Sequence, residues 1–307
     1  MCDLFGECPD MLPVLTYTSG SVIGNVLSAS ITEPYQFQFF RNGVVVATIA
    51  GALCGVLGVF VVLRGLSYIG HGLSHAVFGG AAGSAVLGIN YFVGAGLWGV
   101  ISGVLIGRIS RRRIIGADAA IGVVTTASFA LGLALLNRYG QAKRSIEAVL
   151  FGSVLGVKTS DIVAVAIVSI LVVVVVVVLY RKMLYATFDP DVARVSSVRV
   201  EWIELLLMVM LSLTIIVTMR VIGTLLISAL LVIPAATSRM MTSSFAKMLW
   251  IAPVLGALAG FIGMNVAYHL DTAASASIIL VSAAGFIVMY AVFGLRGRAR
   301  LAHLHHV

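Results

Sequence analysis

Nine mostly apolar stretches follow one another along the chain, at roughly 43–63, 71–88, 91–107, 117–136, 161–180, 203–219, 221–237, 248–268 and 273–293. Each approaches the roughly 20 residues with which an α-helix crosses the hydrocarbon core of a bilayer. The apolar residues run on continuously instead of alternating, which excludes a membrane β-barrel. The pattern predicts an all-α fold, a polytopic transmembrane helical bundle of about nine spans. A shorter apolar piece at 146–156 cannot cross and reads as a re-entrant or half-helix element. Ahead of the first span, 12–31 is apolar but rich in Ser and Thr, and reads as an interfacial or weakly inserted helix. The expected organisation is an extracytoplasmic or interfacial segment at 1–42, a transmembrane domain at 43–295 and a cytoplasmic basic, His-containing tail at 296–307.

Of 307 residues, 60% are hydrophobic and 10% charged, which is more apolar surface than a soluble domain of this size needs. The net charge of +8 does not mark a nucleic-acid binder, because the basic residues sit mostly between the apolar runs. Arg108, Arg111, Arg112 and Arg113 form the clearest basic loop, which the positive-inside rule makes cytoplasmic. Alternation places Arg64, the 181–201 loop, Arg239 with Lys247, and Arg296, Arg298 and Arg300 on that same side. Arg138, Lys143, Arg144 and Lys158 then fall outside: either the short element at 146–156 tucks them against acidic groups such as Glu147 and Asp161, or the helix count there is off by one. Asp3 and Glu7 stand where a signal peptide would carry basic residues, so none is expected. The Walker phosphate loop is absent, so ATP-driven work would need an ATPase on another chain. Cys54 lies in the first span and reads as packing, while Cys2 and Cys8 are either a pair or two idle thiols.

Candidate chemistry begins at Tyr68-Ile69-Gly70-His71-Gly72-Leu73-Ser74-His75-Ala76. Ionisable side chains inside a membrane helix are functional candidates by default. His71 and His75, at i and i+4, share one helix face. They either contact a transition-metal ion together or make interhelical hydrogen bonds. Glycines at 65, 70, 72, 79, 80 and 83 weaken a helix, so this region can bend or unwind. Gly51 and Gly55 have the small-xxx-small spacing that lets helices approach closely. At the outer end of the penultimate span, His269 and Asp271 either guide a cation or form an ordinary turn. In the 181–201 loop, Asp189 suits an N-cap and Pro190 the first helical position. The short helix so begun, with Asp191 and Ala193, would lie on the membrane surface. Pro234 frees a carbonyl within its span and permits a kink, which either gates or only shapes packing. His303, His305 and His306 are either a weak metal-binding tail or inert.

Four stretches together resemble the membrane permease subunit of bacterial ABC importers for zinc, manganese or iron, over about residues 36–294. They are Val62 to Ala76, the segment Leu150-Phe151-Gly152-Ser153-Val154-Leu155 followed by Asp161, Phe188 to Ala193, and Val221 to Ala236. Tyr268-His269-Leu270-Asp271 completes the order. The resemblance implies a type II ABC importer-like fold in the bacterial plasma (inner) membrane. It implies a homodimer above two cytoplasmic ATPase subunits, with an extracytoplasmic metal-binding protein that delivers the ion. By the same likeness His75 is a metal-contacting residue of the pathway, and the helix beginning near Asp189 docks into the ATPase. Two departures stand out. His71 occupies a position where the family usually has Asp, which removes a negative charge and softens the site toward zinc or another late transition metal. Thr272-Ala273-Ala274-Ser275 stands where Pro and Gly are more usual.

These readings combine into a permease with no catalytic residues and no permanently bound cofactor, whose substrate is a divalent Zn, Mn or Fe ion. Its expected partners are a second copy, the ATPase, the delivery protein and membrane lipid, with no nucleic acid. The ion would rest on His71 and His75, with His269 and Asp271 as further candidates. A proton-coupled secondary metal transporter is the alternative, which acids in mid-span would favour. An intramembrane metalloprotease would need Glu after the first His, where Gly72 stands.

Overall fold

The computed structural model describes residues 33–111, 115–139 and 156–304. A short 3-10 turn, Glu33–Gln36, leads into α1 (Gln38–Leu63), α2 (Ile69–Leu87), α3 (Tyr91–Arg111) and α4 (Ala117–Tyr139). After the 140–155 interval come α5 (Thr159–Val178), α6 (Tyr180–Phe188) and α7 (Pro190–Val195). The chain finishes with α8 (Val200–Met241), α9 (Phe245–His269) and α10 (Ala274–Leu304). The described residues contain helices and turns and no strand.

Among the described residues, seven helices are long and apolar enough to cross a membrane: α1, α3, α4, α5, the Val200–Met219 part of α8, α9 and α10 up to Phe293. The expected count of about nine spans is thus not confirmed. All nine apolar runs are helical, but two fall short. Glycines, serines and two histidines dilute the hydropathy of α2, and Leu226–Met241 is too short.

Helix α1 is the axis of the bundle, buried along most of its length. Helix α9 runs antiparallel against it through small residues. A methyl group on Gly51 would overlap the carbonyl of Gly256, one on Gly55 the carbonyl of Ala252, and one on Gly260 the carbonyl of Ala47. This is the close approach that the small-xxx-small spacing predicts. The strand-like composition of α5 resolves into two faces: Val172 and Val176 are buried, whereas Val173, Val174, Val177 and Val178 point outward.

The ends of the bundle are distinct. At one end the rings of Phe60, Tyr180 and Phe188 close on Phe245 at 5.5, 5.5 and 5.8 Å. There the Arg64 Nε donates to the Thr187 hydroxyl at 3.2 Å. At the other end the Tyr35 hydroxyl donates to Asn265 Oδ1 at 3.0 Å, and Phe40 packs on Tyr268 at 5.2 Å. Asn42 donates to the Val157 carbonyl there, at 3.3 Å. The basic loops at 64, 181–201 and 239–247 thus gather at one end, the cytoplasmic end by the positive-inside rule.

Two local expectations are corrected. Helix α2 is unbroken from Ile69 to Leu87, and its glycines serve close packing instead of unwinding. The break in α8 lies at Gly223 (φ 77°, ψ 164°) and not at Pro234, which sits in a regular helical stretch. Only a residue without a Cβ takes that conformation readily, whereas a membrane helix can absorb a proline through its neighbours. The last helix continues through the expected tail region as far as Leu304. Expectations at 1–32 (Cys2 and Cys8 among them), Arg112, Arg113, Lys143, Arg144, 146–155 with Glu147, His305 and His306 lie outside the described residues.

Candidate functional site

His71 and His75 occupy the first two turns of α2, just past the cytoplasmic loop that holds Arg64. Flanking glycines determine how they are displayed. Gly70 admits the side chain of Leu231 from α8, and Gly72 admits Ile121 and Thr125 from α4. With neighbours drawn in on both sides, the histidine face is left open to a cleft of about 340 Å³ between α2 and α4. Tyr68, Asp118, Thr125, Thr126 and Phe129 line it together with the pair.

The two imidazoles meet edge to face, with ring centroids 4.5 Å apart and an interplanar angle of 84°. Their Nε2 atoms are 3.2 Å apart. Imidazole–zinc bonds are about 2.0–2.1 Å long. Two nitrogens 3.2 Å apart would therefore subtend about 100° at a shared ion, close to tetrahedral. Phe129 packs edge-on against His75 at 4.8 Å. The Ser74 hydroxyl is not aimed at the site, because it donates to the Gly70 carbonyl at 2.7 Å.

The surroundings of the pair are sparse in two respects. His75 Nδ1 is buried without a hydrogen-bond partner among the described residues. Metal-binding histidines almost always donate their second nitrogen to an orienting group; here packing on Phe129 and the Nε2 contact with His71 are what hold the ring. No group of three or more His, Cys, Asp or Glu close enough to hold one ion occurs among the described residues. One chain offers two nitrogens and little to fix them, which suits brief contact better than storage.

His269 and Asp271 do not join the pair within one chain. Gly58 of α1 and Gly70 of α2 both meet Leu231, which sets the level of the histidines on α1. Tyr268 packs at the level of Phe40. Those levels lie about 27 Å apart along a helix, and His75 recovers only one turn of this. Roughly 20 Å remains, ten times a metal–ligand bond. Asp271 instead closes the outer turn with φ 50°, where Thr272 and Ser277 hydroxyls meet at 2.6 Å.

The Asp189 cap forms as its sequence indicates: Oδ1 accepts from the backbone N–H groups of Asp191 at 3.1 Å and Val192 at 2.9 Å. Pro190 is the first residue of α7, and Ala193 is fully buried beneath it. Asp191 pairs with Arg194 at 2.8 Å on an exposed surface, where such a pair contributes little.

Two features have no counterpart in the sequence reasoning. The first is the α4 wall of the cleft, whose Asp118, Thr125 and Phe129 recur at near-helical spacing, a faint polar stripe that a closer reading of 117–136 would show. The second is Arg64. Its Nε bonds Thr187 while Nη2 is buried without a hydrogen-bond partner among the described residues. Burial holds this guanidinium below its usual pKa, and Glu204 partly offsets that.

A model of the ABC 3 transport family matches residues 36–293. The manganese import system permease protein ScaB of Streptococcus parasanguinis is 38% identical over 257 residues, covering 83% of this chain and 91% of that protein. The chelated iron transport system membrane protein YfeD of Yersinia pestis is 30% identical over 266 residues, covering 86% and 89%. Among solved structures, PsaBC from Streptococcus pneumoniae in complex with Fab is similar with a TM-score of 0.74 at 32% identity. That match covers 88% of this chain and 95% of the solved one.

Proposed function

The chain belongs to the ABC 3 transport family, and from that premise we propose that it forms the translocation pathway of an ATP-driven divalent-metal importer. It is a multi-pass protein of the bacterial inner membrane and a transporter subunit rather than an enzyme. Its relatives are named for manganese and chelated-iron transport, which supports a transition-metal substrate. The observation that carries the reading to this chain is the His71–His75 pair, with nitrogens at chelating distance beside a cleft.

In this reading two copies of the chain face each other, so that two histidine pairs meet one pathway and together supply the ligands that one chain lacks. Two cytoplasmic ATPase subunits supply the energy, and a soluble metal-binding protein delivers the ion from outside. The Asp189-capped α7 is the contact through which the ATPase moves the bundle. His269 and Asp271, at the outer end, serve entry rather than the inner site. Two imidazoles in place of an imidazole and a carboxylate favour zinc or another late transition metal over manganese. A proton-coupled secondary transporter is not favoured: every described Asp and Glu lies in a loop or near a helix end.

The test is reconstitution of the chain with its ATPase in liposomes, with the delivery protein outside. Metal-stimulated ATP hydrolysis together with metal uptake is the expected result. A chain that binds no ATPase, or that takes up metal without ATP, would overturn the proposal.

A further inference from the structure

We infer that Asp118 is the next station on the ion's inward path, a carboxylate that receives the divalent cation from the His71–His75 pair. This rests on the metal-import reading. Helices α2 and α4 run parallel, with Gly72 against Ile121 and Thr125, and Gly79 against Ser128. In that register His75 lies beside Phe129, and His71 lies close to the level of Ile121. Asp118, three residues before Ile121, is about 4.5 Å nearer the cytoplasmic end. All three side chains line one cleft, so the donors descend as His75, His71, Asp118 toward Tyr68.

Charge gives this order its direction. Ligating imidazoles are neutral, so the pair leaves a dication uncompensated inside the bundle. Asp118 is the one acidic side chain among the residues lining the cleft. It is exposed, in the first turn of α4, where an arriving ion also meets water. The three donors do not form one coordination sphere, since no such three-residue group occurs among the described residues. Asp118 therefore acts after the pair and not with it. Neighbouring weak sites of this kind let an ion pass on instead of being trapped.

A carboxylate in a first helical turn also favours the helix dipole, so the experiment must separate charge for the ion from charge for the helix. Uptake of Mn²⁺ and Zn²⁺ is measured in liposomes containing the complete transporter, at saturating delivery protein. Asp118→Asn and Asp118→Ser should each lower maximal uptake about tenfold, or about 1.4 kcal/mol in barrier, and Asp118→Glu should retain most of it. Asn keeps the shape of the side chain without its charge, and Ser keeps only a short polar oxygen in the first turn. In either neutral background, His71→Asp should restore uptake, because it returns a negative charge to the path without touching α4. Wild-type uptake by the neutral variants would overturn the inference, as would failure of His71→Asp to restore any in an assembled transporter. If the wild-type chain itself moves no metal, it is the importer reading that fails.

Discussion

The seam between α1 and α9 makes a sharp prediction, because the same chemical change should have opposite signs at two glycines. In Gly51→Ala the new methyl runs into the backbone of Gly256, which no rotamer change can move aside. The two helices must separate, and overpacking of this kind costs about 1–3 kcal/mol. Against this stands the roughly 1 kcal/mol by which Ala is favoured over Gly in a helix. The cost also spreads, because separation at Gly51 loosens the matching contacts of Gly55 with Ala252 and of Ala47 with Gly260. A net loss of about 1–2 kcal/mol is expected. Gly285 in α10 has nothing within 4 Å of the position a methyl would take. Gly285→Ala should therefore be neutral or stabilising by up to about 1 kcal/mol. Unfolding midpoints of the purified chain in one detergent, with both variants beside the wild type, decide the matter. Equal stability of Gly51→Ala and Gly285→Ala would refute the claim that backbone contact sets this interface.

His75→Ala should abolish metal uptake while leaving assembly with the ATPase intact; normal uptake would remove the histidine pair from the pathway. His71→Asp alone should shift the ratio of zinc to manganese uptake toward manganese, and an unchanged ratio would mean that position 71 does not select. Asp189→Ala strips α7 of the acceptor for two backbone N–H groups, a loss of about 1 kcal/mol. The expected reading is weaker metal-stimulated ATP hydrolysis with unchanged metal binding by the isolated chain; the reverse pattern would sink a coupling role. Arg64→Met removes a charge-assisted hydrogen bond of about 1.5–3 kcal/mol, but also a buried guanidinium nitrogen that has no partner. Stability should change by less than about 1 kcal/mol, whereas coupling of ATP hydrolysis to uptake should fall, because Arg64 ties the loop before His71 to α6. A collapse in unfolding midpoint would make Arg64 structural only.

What could be read from the sequence was what is local. The apolar runs are visible as helices because each carries its own period and composition. The His71–His75 face and the Asp189–Pro190 helix start are likewise settled by residues within one or two turns of each other. The errors arose where the answer depends on which helix packs against which. Asp271 and His269 were readable as an outer helix end, but their distance from the histidine pair follows only from the antiparallel α1–α9 seam. Asp118 escaped notice because its relation to His71 exists only through the parallel register of α2 on α4. Pro234 drew attention as a helix breaker, yet the break belongs to Gly223. With 32 glycines in the chain, no local signal distinguishes the one whose φ is positive inside a span.

The low hydropathy of α2 and the candidate site have one physical cause. A helix that presents two imidazoles to a cleft, and glycines to its neighbours, cannot also be apolar enough to stand in lipid by itself. Helix α2 is that helix: thirteen of its residues are buried, yet it is not among the seven that meet the hydropathy requirement. Its place must then come from protein contacts, with α8 at Gly70, α4 at Gly72 and Gly79, and α3 at Gly80. A histidine pair fixed by neighbours moves when they move. Helix α8 begins beside the cytoplasmic α7 and carries both the Gly223 break and the Leu231 contact with α2. A displacement of α8 would therefore reach the histidines through the Leu231 contact with Gly70, whereas a helix held by lipid alone offers no such contact.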